Sequence, residues 1–209
     1  MKNLALFSQI VKSKAFLLIC LLALASFLQA QTKRGLIVAI GDYPETGSNP
    51  DWPDISSIND IPLIRSALQK QGFQSENINV IKNEEATKKG IVEAIRKLTS
   101  SCQKGDINIL HFSSHGQQIE DDNKDEIDGY DEAIVPYGAP AEYKDGYDFS
   151  QHLRDDELES LLMELRLKAG PHGDVIMFAD ACHSGTVSRG VEKKSWWTTK
   201  DAPTKLYTY

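Results

Sequence analysis

Two short segments carry side chains whose chemistry could exceed a structural role. In Ser113-Ser114-His115-Gly116 an imidazole sits among small residues, and in Asp180-Ala181-Cys182-His183-Ser184-Gly185 a thiol does the same. A thiol is a poor nucleophile until it ionises, with an ordinary pKa of about 8.5, and a neighbouring imidazole is the usual means of activating it. The small neighbours allow a substrate backbone to come close, and they leave main-chain N–H groups, those of Gly116 and Cys182, for a developing oxyanion. A Cys–His pair alone leaves a second reading open, since a buried cysteine is commonly a small apolar filler.

For His115 and Cys182 to meet, the fold must carry two distant segments to one cleft. From Arg34 onward, β-branched apolar runs alternate with segments of helical period, the pattern of a mostly parallel sheet flanked by helices, α/β in class. Strands are expected over residues 35–40 (GLIVAI), 78–81, 107–112 (INILHF) and 174–178 (DVIMF), with a shorter apolar run at 133–135. The first helix starts near Ser56 or Ser57, tolerates Pro62 in its first turns, aligns Ile61, Ile64 and Leu68, and closes at Gly72. Thr87 caps a second helix, with Ile91, Ile95 and Leu98 on one face. Asp155 and Asp156 open a third, carrying Leu158, Leu161, Leu162 and Leu165 and ended by Gly170-Pro171. Ligands of open α/β sheets gather outside the carboxyl ends of strands, where the third and fourth long runs deliver His115 and Cys182. His111, inside a strand, is expected to be packed, His183 to be structural, and His152 and His172 to lie in loops.

The N-terminus differs from the rest. Lys2, Lys12 and Lys14 precede an apolar run from Ala15 to Leu28 that gives way to Gln29-Ala30 and a polar stretch, which fits a removable secretory signal over residues 1–30. The run is shorter than the ~20 residues that span a bilayer, an uncleaved membrane anchor being the alternative reading, and bulky Ile19 before Cys20 argues against lipid attachment. The mature protein is then exported, periplasmic or extracellular, with no membrane attachment after cleavage. Losing those lysines leaves 20 of the 23 basic residues against 30 acidic ones, so the formal charge falls from -7 to -10 and nucleic acid is excluded as a partner class. Of three cysteines, Cys102 and Cys182 remain, too few for a disulfide framework; the alternative to a free nucleophilic thiol is a single bridge between them.

The segments Ser113-Ser114-His115-Gly116-Gln117 and Asp180-Ala181-Cys182-His183-Ser184-Gly185 resemble the two catalytic signatures of metacaspases and related bacterial caspase-like peptidases. The likeness runs from Arg34 to about Arg189. It implies a three-layer α/β/α caspase-like fold, a catalytic domain over 31–190, and a cysteine-type endopeptidase using His115 and Cys182 as its dyad. It also implies a pocket for the substrate's P1 side chain made of Asp60, Ser113 and Asp180. Two carboxylates in a desolvated pocket favour a cation, so cleavage after Arg or Lys is expected; the bland alternative for Asp60 is a helix cap.

The same resemblance implies a calcium site at Asp131, Asp155 and Asp156, with Arg189 where a fourth acid normally lies, which leaves the site incomplete. Asp121, Asn123, Asp125 and Glu132 fall at EF-hand-like spacing, but Glu126 replaces the required glycine, so an EF-hand is not expected. Residues 191–209 read as a linker or the start of a missing small-subunit part, with Lys193-Lys194 as a self-processing site and a separate small-subunit chain as a possible supplier of the remainder. Two rival readings stand beside the peptidase: a catalytically silent caspase-like interaction module, and an exported calcium-binding protein without catalysis.

Overall fold

A computed structural model describes residues 31–44, 52–124, 126–127, 129–141 and 149–183, with side chains through 181. The expected signal, Asp125, Arg189, Lys193-Lys194 and the 191–209 segment lie outside the described residues. Among the described residues there are six strands: β1 (Lys33–Ala39), β2 (Ile78–Lys82), β3 (Ile107–Glu120), β4 (Tyr130–Ile134), β5 (Leu153–Arg154) and β6 (Asp174–His183). The α-helices among the described residues are α1 (Asp60–Lys70), α2 (Lys88–Ser101) and α3 (Asp155–Ala169).

The sheet order is β2-β1-β3-β4-β5, with β6 on the other side of β3. The β1–β2, β1–β3 and β3–β6 pairs are parallel, whereas β3–β4 and β4–β5 are antiparallel. The sheet is therefore mixed, flanked by helices on both faces as expected for a caspase-like α/β fold. Side-chain alternation splits its apolar residues into two cores. Leu36, Val38, Leu110, Phe112, Val175 and Met177 pack toward α2 and α3, joined by Ile91, Ile95, Leu158 and Leu165. On the opposite face Ile37, Leu68, Phe73 and Ile78 gather under α1. Among the described residues no helix is long and apolar enough to cross a membrane.

Local signals place the helices. Thr87 caps α2 through its side-chain oxygen, which accepts from Gly90 N at 3.1 Å, and Gly170 ends α3 at φ 71°. Two strands run past the expected boundaries. β3 continues from Phe112 through Glu120 because its second half gains a new antiparallel neighbour in β4 after the β1 pairing ends at Ser113. β6 likewise extends to His183 along β3. His115 and Cys182 thus lie inside strands rather than just beyond them. The acidic stretch after Glu120 is the connection of the β3–β4 hairpin.

Cys102 sits at the C-cap of α2, buried and free, with its sulfur accepting from Asn108 Nδ2 at 3.3 Å. Asn108 pairs with Val175, seven residues up β6 from Cys182; at about 3.3 Å per residue that is roughly 23 Å, far beyond the ~7 Å Cα limit for a disulfide. The bridge alternative is excluded by this geometry. Burial also pushes the Cys102 thiol pKa up, despite the Asn108 amide, so it is the inert cysteine.

His152 lies in the bend before β5, a loop position as expected, but it is fully buried there. Burial, with Arg154 and Lys88 acting in the same direction, lowers its pKa from 6.5 to about 4. The unfolded chain takes up a proton as pH falls below 6.5 while the native state refuses it, so this contribution is intact above that value and is lost progressively down to about pH 4. Roughly 2 kcal/mol should disappear between pH 7 and pH 5. Denaturant titrations of wild type and His152→Leu at both pH values should show that extra loss in wild type alone; equal losses would refute it.

Candidate active site

β3 and β6 run parallel from Ile107↔Asp174 to Gly116↔His183, and in that ladder His115 and Cys182 are register partners. Adjacent strand backbones stand about 4.8 Å apart, a separation that side chains can bridge. Gly116, expected to offer an oxyanion donor, lies one position along, opposite His183 and Ile134.

The imidazole of His115 is held on several sides by the loop after β1. Its ring lies 5.0 Å from Tyr43 and 5.1 Å from Trp52, centroid to centroid, tilted in both cases. Nε2 is 2.8 Å from Pro53 O. A carbonyl only accepts, so this contact assigns the proton of the neutral ring to Nε2 and leaves Nδ1 as the basic nitrogen. The backbone is tied as well: His115 N donates to Tyr43 Oη at 3.1 Å, and that hydroxyl donates to Val135 O at 3.1 Å. Tyr43 is buried, which raises its pKa and keeps the phenol protonated for this role.

The loop that supplies these groups is itself fastened. Asn83, at φ 43°, accepts through Oδ1 from Gly41 N and Asp42 N and donates through Nδ2 to Asp42 at 2.6 Å. Tyr43 N donates to Asp54, Trp52 Nε1 to Ala139 O, and Ile55 N to Gly41 O. A Cβ on Gly41 would come within 2.7 Å of Ile55 O, so the loop closes only on glycine there.

Tyr43→Phe removes one acceptor and one donor from two buried backbone partners. It should cost about 1–3 kcal/mol of stability and lower kcat on any substrate about tenfold through a mispositioned His115, a change of ~1.4 kcal/mol in the barrier. Melting and steady-state kinetics on one preparation separate these effects; an unchanged kcat would show that the hydroxyl positions nothing.

The three expected pocket residues come together. Ser113 Oγ donates to Asp60 Oδ2 at 2.5 Å, and Ser113 pairs in register with Asp180. Asp60 is not a side-chain cap: the cap position of α1 is Asn59, and no cap hydrogen bond forms there. Near them, His111 is 7% exposed and its Nε2 has no hydrogen-bond partner among the described residues. It lines a cleft of about 670 Å³ with Leu63, Ile64, Ala67, Phe178 and Asp180. Burial lowers the His111 pKa while Asp60 and Asp180 pull it back up. The histidine expected only to pack thus also faces the cleft.

Of the acids expected to bind calcium, Asp131 and Asp156 both stand near enough to Asp155 to raise its pKa. Among the described residues, the carboxylates whose ligand atoms lie within 4.8 Å of one another are those of Asp121, Asp122 and Asp131, which share only Asp131 with the expected set. Asp121 accepts from the backbone N–H groups of Asn123, Lys124 and Glu126, so it organises the hairpin turn. Asp156 accepts from Asn123 Nδ2, and Asp155 Oδ1 from Asp156 N. Burial and the Asp131 carboxylate push Asp155 up to about 7. Asp131 itself is bonded to the Arg154 guanidinium.

Tyr43, Trp52, Pro53 and Asn83 were not singled out from sequence. One signal was present: an aromatic-bearing loop with glycine and proline leaves the carboxyl end of β1, the same sheet end as His115. That Pro53 O meets Nε2 has no sequence signature, since any residue supplies a carbonyl.

The model of the metacaspase, peptidase C14 domain matches residues 33–189. Metacaspase-2 of Arabidopsis thaliana is 35% identical over 138 residues, covering 62% of this chain and 30% of that protein. Metacaspase-3 of the same plant is 36% identical over 137 residues, 62% of this chain and 35% of its own. The crystal structure of a Geobacter sulfurreducens protein superposes with a TM-score of 0.56 at 27% identity, over 75% of this chain and 52% of that one. The chain spans about a third of the length of these curated relatives. The match covers all of β1 through β6 and the segments around His115 and Cys182, and the chain belongs to the metacaspase, peptidase C14 domain family.

Proposed function

We propose that this chain is a cysteine-type endopeptidase that cleaves after Arg or Lys, with Cys182 as nucleophile and His115 as base. The observation that carries this reading is the register of His115 against Cys182 on adjacent parallel strands. With Nε2 tied to Pro53 O, Nδ1 takes the thiol proton as sulfur attacks the scissile carbonyl. The tetrahedral oxyanion is met by main-chain donors at Gly116 and Cys182. His115 then returns the proton to the departing amine, and water hydrolyses the acyl-enzyme by the same route.

The carboxylates of Asp60 and Asp180, grouped around Ser113, support a cationic P1 side chain. A panel of fluorogenic peptides ending in Arg, Lys or Asp tests the proposal: hydrolysis of the basic pair is expected, and a preference for Asp would overturn it. An inert wild type would favour the silent interaction module instead. The protein is proposed to be exported, and N-terminal sequencing of the mature chain tests this.

A further inference from the structure

We propose that Arg154 is the resident cation of the acidic cluster at the β3–β4 hairpin, so that this chain holds that cluster together without calcium. Arg154 is the last residue of β5 and immediately precedes α3, and its side chain is 12% exposed. Its Nη1 donates to Glu120 O at 2.9 Å and to the Asp131 carboxylate, and its Nε lies 3.4 Å from Asp122. One guanidinium therefore joins the end of β3, the hairpin loop and the start of β4 to the head of α3.

The residues present do not fit a calcium ion. Calcium takes six to eight oxygens at about 2.3–2.6 Å. The one carboxylate common to the expected ligand set and to the observed cluster, Asp131, is 1% exposed and already committed to Arg154. An ion entering here would have to expel the guanidinium and leave it buried without its partner, which is strongly unfavourable. Arg154 is also suited to replace an ion: its planar fork can donate to several acceptors at once and stays charged at every physiological pH. Three carboxylates within 4.8 Å of each other repel unless a positive charge stands among them.

The test is thermal melting of the full chain in EDTA and in millimolar calcium, together with calorimetric titration of calcium, for wild type, Arg154→Leu and Arg154→Lys. Wild type should melt at the same temperature in both buffers and show no saturable calcium heat. Arg154→Leu should melt several degrees lower in EDTA and regain much of that loss in calcium, and the lysine variant should fall between. A wild-type melting temperature that climbs with calcium, or a leucine variant that melts like wild type in EDTA, would overturn the proposal. If the leucine variant does not fold, the wild-type titration decides. Neither readout depends on peptidase activity, so failure here and failure of the peptidase reading are distinguishable.

Discussion

Cys182→Ala is expected to lower kcat/KM on an Arg-terminated peptide about 10⁴-fold or more, with the melting temperature unchanged. The size follows from the role: without the thiol no acyl-enzyme forms, and what survives is only the acceleration from binding and oxyanion stabilisation. His115→Ala should fall to a similar floor, because the thiol loses the base that ionises it. The double variant should be no worse than either single one, since groups that act as a unit are not additive. His115 also packs between Tyr43 and Trp52, so its loss should cost stability as well, and melting separates that from the loss of chemistry. Activity that survives Cys182→Ala would remove the dyad from the mechanism.

The second large effect concerns the pocket. Asp60→Asn keeps an acceptor for Ser113 Oγ but removes the charge, as Asp180→Asn does across the strand pair. A hydrogen bond to a charged group contributes about 1.5–3 kcal/mol, so each variant should lose roughly 10- to 150-fold in kcat/KM on Arg peptides. Peptides with an uncharged P1 residue should be affected far less. The ratio between the two substrates is the quantity to measure: a ratio that both variants leave unchanged would show that the carboxylates do not read the P1 charge.

Much of this was legible in the residues alone. The apolar runs at 35–40, 78–81, 107–112 and 174–178 all became strands, Thr87 capped its helix and Gly170 ended another. These features are local, set by side-chain period and backbone preference within a few residues. Strand length was less legible. His115 and Cys182 stand among Ser, Gly and Ala, which carry little strand preference of their own; pairing with β4 and β6 on either side of β3 extended these segments.

The site shows the same division. Residue types and order determined which histidine and which cysteine to examine, and composition determined that acids dominate the charge. Only the tertiary structure decided that Pro53 O would fix the tautomer of His115, that Tyr43 would bridge His115 N and Val135 O, that Asp60 would meet Ser113 instead of capping α1, and that a guanidinium would sit among the hairpin acids. Each of those contacts joins groups more than twenty positions apart. A linear pattern carries only the preferences of near neighbours, whereas a distant partner is chosen by which strands lie side by side and in what register.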